Sequence, residues 1–326
     1  MLFVGLLALL FTGGSAATER GAEPPVKTLR ITVLSTMLAG NLQKGIGEWG
    51  FAALVEVDGH RLLFDTGQRP TTVRDNAHEL EIDLSNITDV VLSHNHSDHV
   101  GGLLTLRRVS ADKNTAALTH AHVATGAFVS RGPGNFAGDD NPLIAIRPAY
   151  EAAGGKFTEH AGPAELLPGV WFTGPIPRKY PDEQPVPPGW VIRAPDGSLA
   201  PDTTPEDAAL VFDTPRGLVV LTGCGHAGLI NTLEYARVIT KRPDAPIYAI
   251  TGGFHLARAT DGSLDWTAEK LRALGVRIIH GGHCTGLEAV YRLRTQLGLP
   301  REAASVAAVG SWFDLNEGIH PLILAR

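Results

Sequence analysis

Four side chains able to bind a metal ion lie within six residues of this chain, in the stretch His94-Asn95-His96-Ser97-Asp98-His99. An apolar run from Asp89 to Ser93 precedes the stretch and predicts a buried strand. Because side chains alternate along an extended chain, His94 and His96 can share one face, and Asp98 and His99 can turn back towards it. Imidazole and carboxylate ligands together predict a metal site that suits zinc, or iron and manganese where the site is open.

This His-x-His-x-Asp-His stretch resembles the metal motif of the metallo-β-lactamase superfamily. Asp65-Thr66-Gly67, at the end of a predicted strand, resembles the family's early Asp turn beside the site. Three later segments resemble a narrower branch, the dihydropterin–ribofuranosyl-aminobenzene phosphate synthase-like proteins: Leu221 to Gly228, Thr251 to Leu256 and His280 to Gly286. The resemblance covers about residues 28–315 and implies a metal-dependent enzyme.

The resemblance implies two metal positions, which we expect to hold two zinc ions, with iron or manganese as alternatives. The first position is predicted to use His94, His96 and His226. The second is predicted to use Asp98, His99 and His283. Cys224 stands where many members carry a bridging Asp, so it is predicted to be a thiolate ligand or a close neighbour. No Pro-Gly-His turn precedes it, and the region where that His might fall holds Asp202, Glu206 and Asp207.

Other polar residues receive roles from the same comparison and from chain geometry. Asp98 is predicted to be catalytic, and Asp65 to orient a ligand His through its free ring nitrogen. His283 is preferred over His280 as the ligand because the preceding glycines free the chain. Contact of His255 with substrate stays open. The remaining histidines are expected at surface positions or facing solvent: His60, His78, His120, His122, His160 and His320.

Cys224 and Cys284 are the two cysteines of the chain, and each lies in a Gly-rich turn next to a His. This placement argues against a disulfide framework. One disulfide between them remains an alternative, and it is incompatible with Cys224 as a thiolate ligand. The two turns open predicted helices, so their glycines either bind an anionic substrate group through free backbone N–H groups or only permit tight turns.

Composition bounds the partners of the chain. The 326 residues are 44% hydrophobic and carry a formal net charge of −6, enough to bury one large core or two small ones. No run of Lys or Arg exceeds two residues, whereas nucleic-acid binding usually leaves a basic stripe. We therefore expect a small-molecule substrate, neutral or anionic, and no nucleic acid; the oligomeric state is left open.

The N-terminal residues are predicted to be a targeting segment. Residues 1–17 are apolar and then small, which resembles a secretory signal peptide although the usual positive start is missing. The apolar run is too short to span a bilayer, so no stable membrane insertion is expected after cleavage. Export to the periplasm or medium is predicted; the alternative is a cytoplasmic protein with a misassigned start or a disordered lead-in. Residues 18–27 are predicted to be a linker and 28–326 a single domain.

The order of predicted elements is typical of an α/β fold. Strands and helices alternate in both halves, with helices at 70–80, 228–240, 266–274 and 286–297. This order predicts a four-layer αββα sandwich of two mixed β-sheets with outer helices, the metallo-β-lactamase fold, with the chemistry along one edge. Residues 174–205 contain nine prolines, which predict neither a helix nor an inner strand. This loop is interpreted as a substrate lid, with an inert linker as the alternative.

These observations predict a hydrolase that uses a metal-bound hydroxide on an ester, lactone or phosphoester of a small molecule. The branch resemblance implies an alternative, a transferase that joins a dihydropterin to a phosphorylated ribosyl-aminobenzene. The predicted export argues against it, because pterin assembly is expected inside the cell. An iron-dependent redox enzyme, a β-lactam hydrolase and a non-enzymatic metal scaffold are weaker alternatives.

Overall fold

The structure is a computed structural model that describes residues 25–134, 138–180, 189–194 and 196–325. The predicted signal peptide at 1–17 and most of the predicted linker at 18–27 lie outside the described residues. The strands are β1 (Leu29–Ser35), β2 (Ala52–Val57), β3 (His60–Phe64), β4 (Asp89–Val91), β5 (His120–Ala124), β6 (Ser130–Pro133), β7 (Lys156–His160), β8 (Ala164–Leu167), β9 (Val170–Phe172), β10 (Trp190–Arg193), β11 (Leu199–Pro201), β12 (Ala209–Thr214), β13 (Gly217–Thr222), β14 (Ile247–Gly252), β15 (Ile278–Gly281), β16 (Ala304–Val306), β17 (Trp312–Asp314) and β18 (Gly318–His320).

The helices lie on the outside of the sheets. They are α1 (Thr72–Glu79), α2 (Ser97–Val100), α3 (Leu103–Ala111), α4 (Pro142–Ala152), α5 (Leu229–Ile239), α6 (Asp261–Leu274) and α7 (Leu287–Leu297). The helix predicted over 266–274 begins earlier, at Asp261, because the Thr260 side chain caps it by accepting from Ser263 N. Within the described ranges, no helix combines the length and apolar character needed to cross a membrane.

Two large mixed sheets face each other, which confirms the predicted four-layer sandwich. The first sheet has the order β18-β17-β1-β2-β3-β4-β5-β7 and the second β16-β15-β14-β13-β12-β9-β8. Alternate apolar side chains of both sheets, such as Ile31 in β1 and Phe212 in β12, form the core between them. The opposite faces pack against the helices: α1, α3 and α4 cover the first sheet, and α5, α6 and α7 cover the second.

Five parallel strand ends position the chemistry. Strands β3 and β4 run parallel in the first sheet, and β13, β14 and β15 run parallel in the second. Since parallel strands share their direction, each group places its carboxyl ends at one edge of its sheet. Ala208 N donates to Ser93 O at 2.9 Å, which ties the end of β4 to the chain entering β12. The turns after these five strands carry all the predicted site residues.

The Pro-rich segment differs from its prediction. Trp190–Arg193 is the middle strand of a third, three-stranded sheet, between β11 and β6. The prediction that residues 174–205 hold no inner strand is therefore wrong at β10. The prolines flank this strand without entering it, and its sequence Trp-Val-Ile-Arg has the aromatic and β-branched residues that strands favour.

Gly252, the last residue of β14, tests the packing of these strand ends. Its φ is +107°, and a Cβ there would lie 1.9 Å from the carbonyl oxygen of Thr222. Gly252→Ala is expected to lower the free energy of unfolding by more than about 1 kcal/mol, measured by denaturant titration, because an L side chain is strained there and also clashes. Gly262 in α6 is the matched control, since a Cβ there meets nothing within 4 Å. Gly262→Ala should be neutral or stabilise by up to about 1 kcal/mol; equal losses in the two variants would contradict this account.

Candidate metal centre

The seven predicted metal ligands come together at one edge of the sandwich. His94 and His96 follow β4, and Asp98 and His99 lie in the short helix α2. The turn between β13 and α5 carries Cys224 and His226, and a single 3₁₀ turn after β15 carries His283. Residues separated by up to 189 positions in the sequence therefore meet through the pairing of the strands that precede them.

Position one is the name we give to the point between His94, His96 and His226. Their ring centroids lie 4.5 Å (His94–His96), 4.8 Å (His94–His226) and 4.7 Å (His96–His226) apart. The Nε2 atoms of His94 and His226 are buried and accept or donate no hydrogen bond among the described residues. Since an unsatisfied buried polar atom costs about 1–3 kcal/mol, two such nitrogens fit a bound metal ion.

Position two is the point between Asp98, His99, Cys224 and His283. Cys224 Sγ lies 3.1 Å from His99 Nε2 and 3.2 Å from His283 Nε2, and these two nitrogens are 3.3 Å apart. Asp98 Oδ2 lies 3.3 Å from His283 Nε2 and 3.8 Å from His99 Nε2. In a tetrahedral site with bonds of about 2.0–2.3 Å, donor atoms lie about 3.3–3.8 Å apart. The four donors therefore have the spacing of a tetrahedral ligand set, and Cys224 is part of that set.

Asp98 and Cys224 lie next to both positions. Donor atoms of Asp98, His94 and His96 lie within 4.8 Å of one another, as do those of Cys224, His94 and His226. Both residues are also members of position two. The structure thus brings the two positions close enough to share a carboxylate and a thiolate.

The carboxylate of Asp65 links the two positions from behind. Its Oδ2 lies 2.7 Å from His99 Nδ1 and accepts from Ser93 Oγ at 2.7 Å, and its Oδ1 accepts from Ser93 N at 2.8 Å. Ser93 Oγ lies 2.9 Å from His94 Nδ1. One buried carboxylate therefore fixes the rings of His99 and, through Ser93, His94, and leaves their Nε2 atoms facing the metal positions.

The pKa values of position one favour neutral histidines. Burial lowers the pKa of His96 to about 3 and lowers the pKa values of His94 and His226 well below the usual range. The positive charge of Arg131 contributes to each of these shifts. These rings are therefore neutral at neutral pH, and each has a lone pair that can bind a metal ion without loss of a proton.

Position two has the opposite electrostatics. Burial alone would lower the pKa of His99, but the carboxylates of Asp65 and Asp98 outweigh it and raise the pKa to about 9. Burial would raise the pKa of Asp98, yet His99 and His283 hold it far below its usual value. In the metal-free protein His99 therefore carries a proton at neutral pH, which a metal ion has to displace.

The two cysteines are free thiols and form no disulfide with each other. Their Sγ atoms lie 3.3 Å apart. Cys224 is thus available to position two as the sequence comparison implies, and Cys284 lies beside it.

His255 and His280 occupy different environments. The His255 ring lies 4.5 Å from the His226 ring, and its side chain lines the cavity over the metal positions. His280 is fully buried, and its Nε2 lies 3.0 Å from Ser311 Oγ, so it serves the packing of the strand end. His283, and not His280, reaches the metal position.

A cavity of about 710 Å³ opens above both metal positions. Trp49 lies at one side, with its ring centroid 5.2 Å from that of His283. Trp190 of β10 lines another part of the wall, so the Pro-rich segment contributes to the cavity. This volume accommodates a small molecule.

Sequence reasoning missed a buried ion-pair network beside position one. Arg131 is 1% exposed; its Nη2 lies 2.7 Å from Glu206 Oε1 and its Nε 3.5 Å from Asp202 Oδ2. Asp207 is also buried, which raises its pKa to about 7, and it accepts a hydrogen bond from Ala227 N next to His226. The acidic residues occupy the region of the sequence where a family His might fall, and their partner Arg131 lies in a Gly-rich stretch without a motif.

The other histidines lie away from the centre. His122 Nε2 donates to Asp89 Oδ1 at 2.9 Å, and its Nδ1 lies 3.1 Å from His160 Nε2. His320 stacks on Trp312 with ring centroids 4.5 Å apart. The expected surface position is wrong for His122, whose side chain is only 15% exposed. His160 and His320 are half-buried instead of facing solvent, because neighbouring rings cover part of each. His60, His78 and His120 are exposed as expected.

Comparison with known proteins agrees with this geometry. The family model of the metallo-beta-lactamase superfamily matches residues 50–283, a range that includes every residue of both positions. A curated relative from Methanocaldococcus jannaschii, 7,8-dihydropterin-6-methyl-4-(beta-D-ribofuranosyl)-aminobenzene-5'-phosphate synthase, is 28% identical over 273 residues, which are 81% of this chain and 90% of the relative.

Solved structures share the fold. Tm1679, described as a metal-dependent hydrolase of the beta-lactamase superfamily, has a TM-score of 0.67 and 27% sequence identity, covering 87% of this chain and 98% of its own. A diphosphatase from the PhnP family has a TM-score of 0.51 and 16% identity, covering 89% of this chain and 98% of its own. The second likeness supports the fold alone.

Asp65→Asn tests the electrostatics of position two. In the wild type, the affinity of position two for its metal ion is expected to fall at least about tenfold per pH unit below pH 9, because His99 has to lose a proton before it binds. The neutral amide removes a main cause of the raised pKa, so the variant should show a shallower pH dependence. At pH 9 its affinity should be about 10–100-fold weaker, since His99 is less basic. Competitive chelator titrations with zinc across about pH 6 to 9 measure both effects.

The affinity of position one for its metal ion should change little with pH, because its histidines are already neutral. Asp89→Asn is the matched control: Asp89 also holds a His ring, His122, but lies away from the cavity. Unchanged affinities in Asp65→Asn, or equal losses in Asp89→Asn, would refute the role assigned to Asp65.

Proposed function

The chain belongs to the metallo-beta-lactamase superfamily, and we propose that this enzyme is a metal-dependent hydrolase acting on an ester, lactone or phosphoester of a small molecule. Two zinc ions are proposed as the cofactors, one at each position. The observation that carries the proposal is the convergence of two donor sets, with unpartnered or closely spaced donor atoms, on the floor of one cavity. That arrangement suits activation of water next to a bound substrate.

When bound, the metal ions would make a water molecule nucleophilic at neutral pH and would stabilise negative charge that develops on the substrate. The chain itself supplies orientation. His94, His96 and His226 would hold the first ion, and position two would hold the second. Asp65 and Ser93 fix two of these rings by hydrogen bonds, so the centre needs little rearrangement when substrate enters.

Asp98 is proposed to accept the proton of the attacking water as a general base. Its side chain lines the cavity and its donor oxygen belongs to both groups of ligands. Its lowered pKa, caused by His99 and His283, keeps it ionised at neutral pH, so it can accept a hydrogen bond from water and orient it. The substrate would lie above it, between Trp49 and the wall formed by Arg131, Arg178 and Trp190.

A transferase of the dihydropterin–ribofuranosyl-aminobenzene phosphate synthase type is the second candidate. The 28% identity to the synthase from Methanocaldococcus jannaschii over most of both chains favours it. The 27% identity to the hydrolase Tm1679 favours hydrolysis, and so does the export that we propose from residues 1–17. Either reaction would use the same metal centre and cavity.

The test is a substrate panel with the zinc-loaded protein. Hydrolysis of at least one ester, lactone or phosphodiester probe is expected, with loss on chelation and recovery with zinc. Asp98→Asn should lower the rate by at least about 100-fold, the lower range for a group that handles a proton. Asp89→Asn, outside the cavity, should leave the rate unchanged.

The parallel arm supplies an activated dihydropterin together with a phosphorylated ribosyl-aminobenzene, and mass spectrometry follows the joined product. If the joined product forms and no probe is hydrolysed, the proposal of a hydrolase is wrong and the transferase takes its place. Probe hydrolysis that is insensitive to chelation, or equal in Asp98→Asn and wild type, would overturn the metal-dependent mechanism.

A further inference from the structure

Cys284 and His255 belong to neither metal position, yet both line the cavity beside Cys224. The donor atoms of Cys224, His255 and Cys284 all lie within 4.8 Å of one another. Each residue follows a different parallel strand, β13, β14 or β15, so the pairing of the seven-stranded sheet brings them together. Such a set of two thiols and one imidazole is a ligand set in its own right.

We infer that these three side chains form a third metal position, which takes a soft ion such as zinc(II), cadmium(II) or copper(I). Thiolate and imidazole donors select ions of this kind. Because Cys224 Sγ also lies 3.1 Å from His99 Nε2 and 3.2 Å from His283 Nε2, its thiolate bridges position two and the third position. The inference goes beyond the proposed hydrolysis and holds for either reaction.

The distance between the two sulfur atoms favours a metal ion over a disulfide. Two thiolates on one tetrahedral ion, with bonds of about 2.3 Å, lie about 3.8 Å apart. A disulfide bond is about 2.05 Å long. The observed separation of 3.3 Å needs a smaller movement to reach the first arrangement than the second.

The backbone holds the three residues in place. Phe254 N donates to Thr285 Oγ1 at 3.0 Å, and Ala257 N donates to the carbonyl oxygen of Cys284 at 3.0 Å. These bonds tie the turn that carries His255 to the turn that carries Cys284. His255 has a φ of +53°, a conformation that residues with a side chain adopt rarely and that clusters at functional sites.

The third position also has room for an external ligand. Cys224 and Cys284 are buried, whereas the side chain of His255 is exposed on the cavity side. Three protein donors leave the fourth place of a tetrahedral ion open towards the cavity, as in zinc sites that bind water or a small molecule.

The test is a cobalt(II) titration of the metal-free full chain under anaerobic, reducing conditions. The number of bound equivalents is counted while the near-ultraviolet band of cobalt–thiolate charge transfer is followed. Three equivalents are expected in the wild type. Cys284→Ser and His255→Ala should each bind two, and the charge-transfer band of Cys284→Ser should fall at least about twofold because fewer cobalt–sulfur bonds form.

His120→Ala, which removes an exposed histidine outside the cavity, should keep all three equivalents. His255→Ala also guards against misfolding, since it truncates an exposed side chain. Two equivalents in the wild type with both thiols free, or three in both Cys284→Ser and His255→Ala, would overturn the inference. So would an intact mass two hydrogens below the expected value, measured before any reductant is added, that shows a disulfide between Cys224 and Cys284. A wild-type chain that binds no metal ion at positions one and two would instead contradict the proposed function.

Discussion

The hydrogen bonds of Asp65 are the interaction on which the whole centre depends. This carboxylate is fully buried, and it is satisfied by Ser93 and by the protonated Nδ1 of His99. A buried charge without such partners would be strongly unfavourable, so the ends of β3 and β4 have to stay in register. That register aims His94 and His99 at two separate points, and the opposite sheet supplies Cys224, His226 and His283 to complete them.

Much of this centre could be predicted from the sequence, because its parts are local and follow strands. The four possible ligands of the His94–His99 stretch lie within six consecutive residues, so their spacing is visible in the sequence. The glycines before His283 indicate a turn that lets its side chain reach inward. The order of strands and helices also predicts the sandwich, since each helix has one apolar face to bury against a sheet. The two cysteines were recognised as neighbours of histidines, and the structure places their sulfur atoms 3.3 Å apart.

What could not be predicted depends on contacts between distant segments or on signals that were passed over. Arg131 and Glu206 are 75 positions apart, and neither carries a motif that names the other as its partner. The third sheet pairs β10 with β6 across a Pro-rich segment, where prolines obscured a short strand that contains none. Helix α4 was missed although Asn141 and Pro142 are a typical helix start, and the Asn141 side chain does cap it.

The buried donors around Asp65 are proposed to hold metal ions at two separate positions. Anomalous diffraction from crystals of the zinc-loaded chain tests this most directly. We expect one strong peak within bonding distance of His94, His96 and His226, and another within bonding distance of Asp98, His99, Cys224 and His283. A zinc-loaded crystal that lacks the peak at one or both positions would contradict this arrangement.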